Sequence, residues 1–260
     1  MPDIRTVKIT RYVTPLREGG SLPAITEAND DFLYVLKFRG AGQGVKALIA
    51  ELLGGEFARA LGLKIPELVF AELDASFGRT EPDEEIQDLL KASTGLNLAL
   101  HYLSGSITYD IAVNQPDALL ASKIVWMDAL LQNVDRTVRN PNMLYWNKEL
   151  WLIDHGASLY FHHNWDNRAS AILKPFVQVK EHVLLPFAGE LEDANRICKN
   201  LLSDNLIRNI VNTIPDSWLD WNEGNRPEEI KDFYYEYFTQ RKSQSHHFLK
   251  EAQNARESLI

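Results

Sequence analysis

Apolar and polar positions alternate in short runs through the first hundred residues, and beyond them the spacing lengthens to that of helices. Strands are predicted over 7–13, around 24–27 and over 32–39, joined by turns at Arg17-Glu18-Gly19-Gly20-Ser21 and Asn29-Asp30-Asp31. Leu48, Leu52, Phe57 and Leu61 recur at helical spacing through 47–61, and Gly62-Leu-Lys-Ile-Pro66 ends that helix. A strand over 68–73, an acidic helix over 82–92 and a strand over 96–103 complete this half. After Ser104-Gly105-Ser106 the pattern predicts an apolar helix at 116–131 and two short apolar runs at 143–146 and 150–153. Several helical segments follow from about 180, the last of them one long helix over 227–258. The chain therefore reads as α+β: a small antiparallel sheet with a helix over 1–103, and a mainly helical half over 104–260.

With 260 residues, 45% of them hydrophobic, the chain has enough apolar surface for one large domain or two lobes sharing an interface. No apolar run approaches the ~20 residues that span a bilayer, and the first residues, Met-Pro-Asp-Ile-Arg-Thr-Val-Lys, lack a signal-peptide core, so a cytoplasmic location is expected. The lone Cys198 excludes an internal disulfide framework and sits in a helical pattern as a small core residue. A formal charge of −9 argues against nucleic acid or an anionic membrane as the main partner. The cluster Glu81-Pro-Asp83-Glu84-Glu85 reads as a solvated first helical turn, where negative charge suits the helix dipole.

The segment from Gln132 to Gly156 carries the candidate chemistry. An apolar helix runs into a polar loop bearing Asp135, Arg136, Asn140 and Asn142, and a hairpin then delivers Asp154, followed by His155 and Gly156. Any one of these residues has an ordinary structural explanation, such as a turn cap or a surface ion pair. The ordered set is what phosphoryl transfer requires: one acid to face an acceptor hydroxyl, and a second acid with an amide oxygen to hold Mg²⁺ on nucleotide phosphates. Asp135 fits the first role, and Asp154 with Asn142 or Asn140 fits the second. Lys37 lies in the middle of an apolar strand pattern, and Glu51 falls fourteen residues later on the following helix, a suitable spacing for a lysine-to-glutamate pair, with Glu56 as the second choice. Gly19, Gly20 and Ser21 could bring backbone N–H groups against phosphates, a weak signal by itself. Gly40, Gly42 and Gly44 read as a connection. The adjacent pairs His162-His163 and His246-His247 lack the spaced acid or cysteine that would complete a zinc site.

Taken together, these residues resemble the HipA-like kinases, and in particular a compact bacterial branch of them. The likeness is carried by Pro15-Leu-Arg-Glu-Gly-Gly-Ser-Leu-Pro23, Tyr34-Val-Leu-Lys-Phe-Arg-Gly-Ala-Gly-Gln-Gly44, Asn133-Val-Asp-Arg-Thr-Val-Arg-Asn-Pro-Asn142 and Trp151-Leu-Ile-Asp-His-Gly156, and it extends over about 5–255. The resemblance implies a two-lobed protein-kinase-like fold, ATP with Mg²⁺, and phosphorylation of a serine or threonine on a protein substrate, which could be the chain itself. It implies that Lys37 binds phosphate, that Asp135 is the catalytic acid/base and that Asp154 ligates metal. His101, Tyr102 and Leu103 would form the hinge beside the adenine. In the wider superfamily the metal-binding asparagine falls five residues after the catalytic acid, which here is Asn140, and directly before a strand, which here is Asn142; the strand favours Asn142. The larger toxins of the family carry a further N-terminal subdomain before the first strand of the nucleotide lobe, a departure that weakens the expectation of toxin-type regulation by an antitoxin, while a regulatory partner protein stands beside the protein substrate among the expected partners. A lipid or small-molecule kinase, and a nucleotide-binding pseudokinase serving as an interaction module, are the alternatives; the intact Lys37, Asp135 and Asp154 speak against the second.

Overall fold

The computed structural model describes residues 4–16, 22–77, 82–221 and 224–259. Strands β1 (Thr6–Pro15), β2 (Ala24–Ala28), β3 (Leu33–Lys37), β4 (Leu68–Leu73) and β5 (Gly95–His101) form a closed barrel in the order β1-β2-β3-β5-β4. Burial alternates residue by residue in β2 and β3, as the two-residue period of a strand requires. Tyr34, Leu36, Val69, Ala71 and Ala99 point inward to one apolar cluster. The expected antiparallel sheet needs one correction: β1 pairs with β4 in parallel, Thr6 to Phe70 through Lys8 to Glu72. That pairing joins the two edges and closes the sheet, and an alternating pattern in single strands cannot announce it.

Helix α1 (Val45–Ala60) packs with apolar groups on all sides, every residue from Leu48 to Ala58 being buried, because it lies between the barrel and the helical half. Helix α2 (Glu84–Ala92) begins at Asp83, whose carboxylate accepts from the N–H groups of Glu85 and Ile86. After β5 a second sheet forms from β6 (Ile107–Thr108), β7 (Met143–Trp146) and β8 (Glu149–Leu152). The β7–β8 hairpin turns on Asn147 and Lys148, both at positive φ (49° and 66°), the combination that matches the right-handed strand twist. Helix α3 (Ala118–Leu131) is capped by Asp117 and is almost wholly buried.

The helical half continues through a run of short 3-10 turns between Tyr160 and Phe187, which the sequence pattern did not predict, and then α4 (Leu191–Leu201) and α5 (Asp204–Val211). The single long helix expected over 227–258 is in fact two, α6 (Pro227–Ser243) and α7 (His246–Glu257). The break falls in the polar run at Gln244-Ser245, where the Ser245 hydroxyl donates to Asn195 Oδ1 at 2.7 Å and the chain turns so that Phe248 packs edge-on to Trp126 of α3. Tyr234, Tyr237 and Phe238 are core anchors, and Cys198 is buried and free. Arg241 of α6 is also buried, and its guanidinium donates to the carbonyls of Ala129 and Leu130 at the end of α3 and to those of Ala171, Ile172 and Lys174. No helix among the described residues is long and apolar enough to cross a membrane.

Candidate active site

The end of β3 places Lys37. Its strand is pinned just downstream by the buried Asn97, which accepts from the Arg39 N–H at 2.8 Å and donates to the carbonyls of Ser93 and Gly95. The Lys37 ammonium lies 2.8 Å from Asp154 Oδ1 and 3.4 Å from Glu51 Oε2, so residues far apart in the chain meet at one cation. Burial opposes the charge on Lys37, but the two carboxylates outweigh it and hold its pKa above that of an ordinary lysine. Asp154 is held below the usual carboxylate range: burial pushes it up, and the attraction of Lys37 more than offsets this. Glu51 moves the other way, because burial dominates at its helix-interior position. Glu56, the second choice for the pair, is buried against Arg59 instead.

Glu51 also accepts from the His155 N–H at 2.9 Å, so the helix holds the segment after β8 as well as the lysine. Asp154 itself has φ of 55°, a left-handed conformation that a non-glycine residue adopts only when its surroundings fix it. The His155 ring is buried, and burial lowers its pKa to about 3, so it packs as a neutral ring. It fits because α1 carries glycine opposite: a Cβ on Gly54 would lie 2.5 Å from His155 Cβ. Gly54→Ala is therefore expected to push His155 off the helix and lower both thermal stability and turnover, at a cost of roughly 1–3 kcal/mol. Parallel melting and activity measurements check this, and an unshifted melting temperature would count against the close packing.

The polar loop after α3 is held from beneath by an acid that sequence reasoning passed over. Asp128, fully buried, accepts from Arg136 Nε at 2.6 Å, contacts His182 Nε2 at 2.9 Å and accepts from Asn133 Nδ2 at 3.0 Å. Burial alone would raise its pKa, yet Arg136 and His182 hold it far below the carboxylate range. Arg136 also donates to the Asn142 carbonyl at 2.5 Å, and its Nη1 reaches the Ile153 carbonyl at 3.4 Å, tying the loop to the strand that leads to Asp154. The signal was present in the sequence: an acid in an otherwise apolar helix needs a buried partner. Asn133 in turn accepts from the Asp135 N–H at 3.2 Å, which links the buried acid to the candidate base.

Asp135 is half-buried, and its Oδ2 accepts from Asn140 Nδ2 at 2.8 Å and from Asn142 Nδ2 at 3.2 Å. Both asparagines thus turn their amide nitrogens toward Asp135 and their oxygens away from it. Asn142 is buried, at φ of 49°, directly before β7, whereas Asn140 is exposed. A cleft of about 830 Å³ is lined by Lys37, Asn140, Asn142 and Asp154 on one side and by His101, Tyr102 and Leu103 on another. Thr14, Pro15, Leu16 and Pro23 also line it. Gly19, Gly20 and Ser21 lie outside the described residues. The N–H groups of His101 and Tyr102 are bonded to the carbonyls of Glu67 and Leu33, and the Leu103 carbonyl accepts from the Ser106 N–H at 3.1 Å, so the Leu103 N–H is the donor of this segment that could meet a base there. The His101 ring packs edge-on to Phe32 and Tyr34.

The donor set suits a hard cation. Asp154, Asn142 and Asn140 offer oxygen only, and Mg²⁺ is commonly bound by one or two protein carboxylates with phosphate and water completing the shell. Among the described residues no three His, Cys, Asp or Glu side chains gather to hold a metal by themselves, and His162 hydrogen-bonds Tyr234 at 3.0 Å in the core. The histidine pairs lie in a 3-10 turn and a helix, not on extended chain.

In overall shape the chain is similar to the Helicobacter pylori proinflammatory kinase CtkA, at a TM-score of 0.57 and 15% identity, with 98% of this chain and 99% of that one aligned. It is also similar to the Golgi casein kinase with Mn/ADP bound, at 0.50 and 12%, over 95% of this chain and 73% of that one. At these identities the likeness is one of fold. No curated protein sequence matches the chain. The model of the HipA-like kinases matches residues 9–250, nearly the whole sequence and both halves of the cleft, and the chain belongs to that family.

Proposed function

We propose that the protein is an ATP- and Mg²⁺-dependent phosphotransferase of the cytoplasm, with two lobes meeting near residue 103, that acts on serine or threonine hydroxyls of a protein. The observation that carries this reading is the meeting of Lys37, Glu51 and Asp154 across one cleft, with Asp135 and its two asparagines at the cleft edge. A structural ion pair needs no such cleft, and a pure interaction module needs no acid held ready between two amides. Bound Mg²⁺ would neutralise charge on the transferring phosphoryl group. Lys37, steadied by Glu51, would orient the phosphates. Asp135 Oδ1, which has no protein donor among the described residues, would receive the hydroxyl proton. Asp154 and Asn142 would hold the cation, with Asn140 shaping the loop.

Incubation with γ-labelled ATP and Mg²⁺ tests the reading: label is expected in the protein itself or in proteins of a cell lysate. Absence of both label and a thermal shift at millimolar Mg-ATP would overturn it. The two amides separate in the same assay. Asn142→Ala should reduce turnover by orders of magnitude and raise the Mg²⁺ requirement, because its oxygen is fixed by the strand, while Asn140→Ala should be milder. A larger defect at Asn140 would reverse the assignment.

A further inference from the structure

A second groove, of about 600 Å³, opens on the other side of the catalytic loop. Gln132 and Val134 form one wall, and the segment from Tyr160 to Gln178 forms the rest. The loop thus runs from this groove, at 132 and 134, to the nucleotide cleft, at 140 and 142, with Asp135 between them. Val134 and Asp135 are adjacent, so the wall of the groove and the candidate base sit on neighbouring Cα atoms ~3.8 Å apart. The floor is apolar, with Phe161, Ala171 and Phe176 buried. Two large apolar side chains of its lining are open to solvent, Val134 and Tyr160, the latter 62% exposed, and the exposed Leu173 and Val177 adjoin lining residues in the chain. Such a concentration beside a reaction centre marks a surface that something covers. Asn164, Asn167 and Gln178 line the same groove; Asn167 Nδ2 donates to Asn164 Oδ1 at 3.1 Å, which leaves Asn164 Nδ2, Asn167 Oδ1 and the Gln178 amide to pair the C=O and N–H groups of an extended backbone. Lys174 is the one charged side chain of the lining; it is exposed and forms no ion pair with any described residue.

We propose that this groove is the acceptor-peptide site, and that it selects extended segments bearing a bulky apolar side chain and an acidic residue within about three residues of the phosphorylated hydroxyl, a reach of ~10 Å. The inference rests on the kinase reading above and goes on to name the kind of substrate. An apolar side chain fills the floor beneath the exposed rim. The acid meets Lys174, and the amides hold the backbone, which sets the hydroxyl before Asp135. A small polar acceptor would leave the apolar floor and rim uncovered.

The test uses the full chain with Mg-ATP and a degenerate serine-centred peptide library, comparing wild type with Lys174→Glu and Ser170→Trp. Ser170 lies on the exposed rim, and neither residue belongs to the nucleotide cleft or the catalytic loop. Wild type should enrich peptides with Leu, Ile or Phe at one flanking position and Asp or Glu at another, and removing the apolar side chain should lower kcat/KM roughly 10–100-fold. Lys174→Glu should turn the acidic preference toward Lys or Arg by about fivefold, the size of an exposed charge pair. Ser170→Trp should abolish the apolar preference. Both variants should keep the thermal shift with Mg-ATP. Phosphorylation without positional preference, or a preference that neither substitution alters, would overturn the groove and leave the kinase reading standing. So would a wild-type dimer dispersed by Ser170→Trp, because a second copy would then be the occupant. A protein stabilised by Mg-ATP that labels no peptide would also overturn the groove, whereas absence of both stabilisation and label would remove the kinase reading itself.

Discussion

Asp135→Asn is expected to lower kcat by roughly 10²–10⁴-fold, the usual contribution of a positioned general base, while leaving stabilisation by Mg-ATP nearly unchanged. The asparagine side chain is close in size to the carboxylate it replaces, so the contacts with Asn140 and Asn142 survive in geometry. What is lost is the capacity to accept a proton from the acceptor hydroxyl. Asp154→Ala should behave differently: it removes the proposed oxygen ligand and one of the two anions that hold Lys37, so metal-dependent nucleotide binding should fall along with turnover. Thermal shift and single-turnover labelling of both variants distinguish them. Equal loss of nucleotide affinity in the two would show that the roles are wrongly divided.

The second large effect concerns folding. Asp128→Ala leaves Arg136 and His182 facing an empty, buried site, and removing one partner of such a cluster costs about 3–5 kcal/mol. For a chain of this size that corresponds to a fall in melting temperature of roughly 6–20 °C. The acid dependence has a definite sign. Because the carboxyl is held far below its unfolded pKa, its contribution is fully present above about pH 4–5 and is lost as pH falls through the acid range toward the folded value. The wild type should therefore lose stability steeply on acidification, and Asp128→Ala should flatten that part of the curve. Melting curves from pH 7 to pH 3 decide it, and parallel curves for the two proteins would exclude Asp128 as the source.

How much of this was legible in the sequence depends on how local each signal is. The β7–β8 hairpin, the loop residues Asp135 to Asn142 and Asp154 lie within one short stretch, and period and spacing alone place them. Lys37 and Glu51 could be matched because a strand and the next helix fix their separation. The parallel β1–β4 pairing joins segments some sixty residues apart and leaves no mark on either. The two-residue strand β6 exists only because β7 offers it partners. The 3-10 turns from Tyr160 to Phe187 have no hydrophobic period to detect, and the groove they build was invisible for the same reason. The break between α6 and α7 needed the Asn195 contact, supplied by another helix. Asp128 is the exception, since a single acid among apolar helical residues is a local signal that was there to be read.

Arg241 bears on the order in which the protein can mature during synthesis. The end of α3, from which the loop bearing Asp135 departs, has the carbonyls of Ala129 and Leu130 bonded by a guanidinium that lies 112 residues downstream of Ala129. While the ribosome is still translating α4 and α5, those carbonyls and the loop at 171–174 lack that donor, whereas the barrel and α1 have already left the exit tunnel. The barrel and the Asp128 cluster can thus assemble early, but the end of α3 beneath the Asp135 loop gains its last donor only when nearly the whole chain has emerged. A nascent chain stalled before α6 would present Lys37 on its barrel while the end of α3 still lacked the Arg241 donor, so the proposed phosphotransfer would be withheld from unfinished copies.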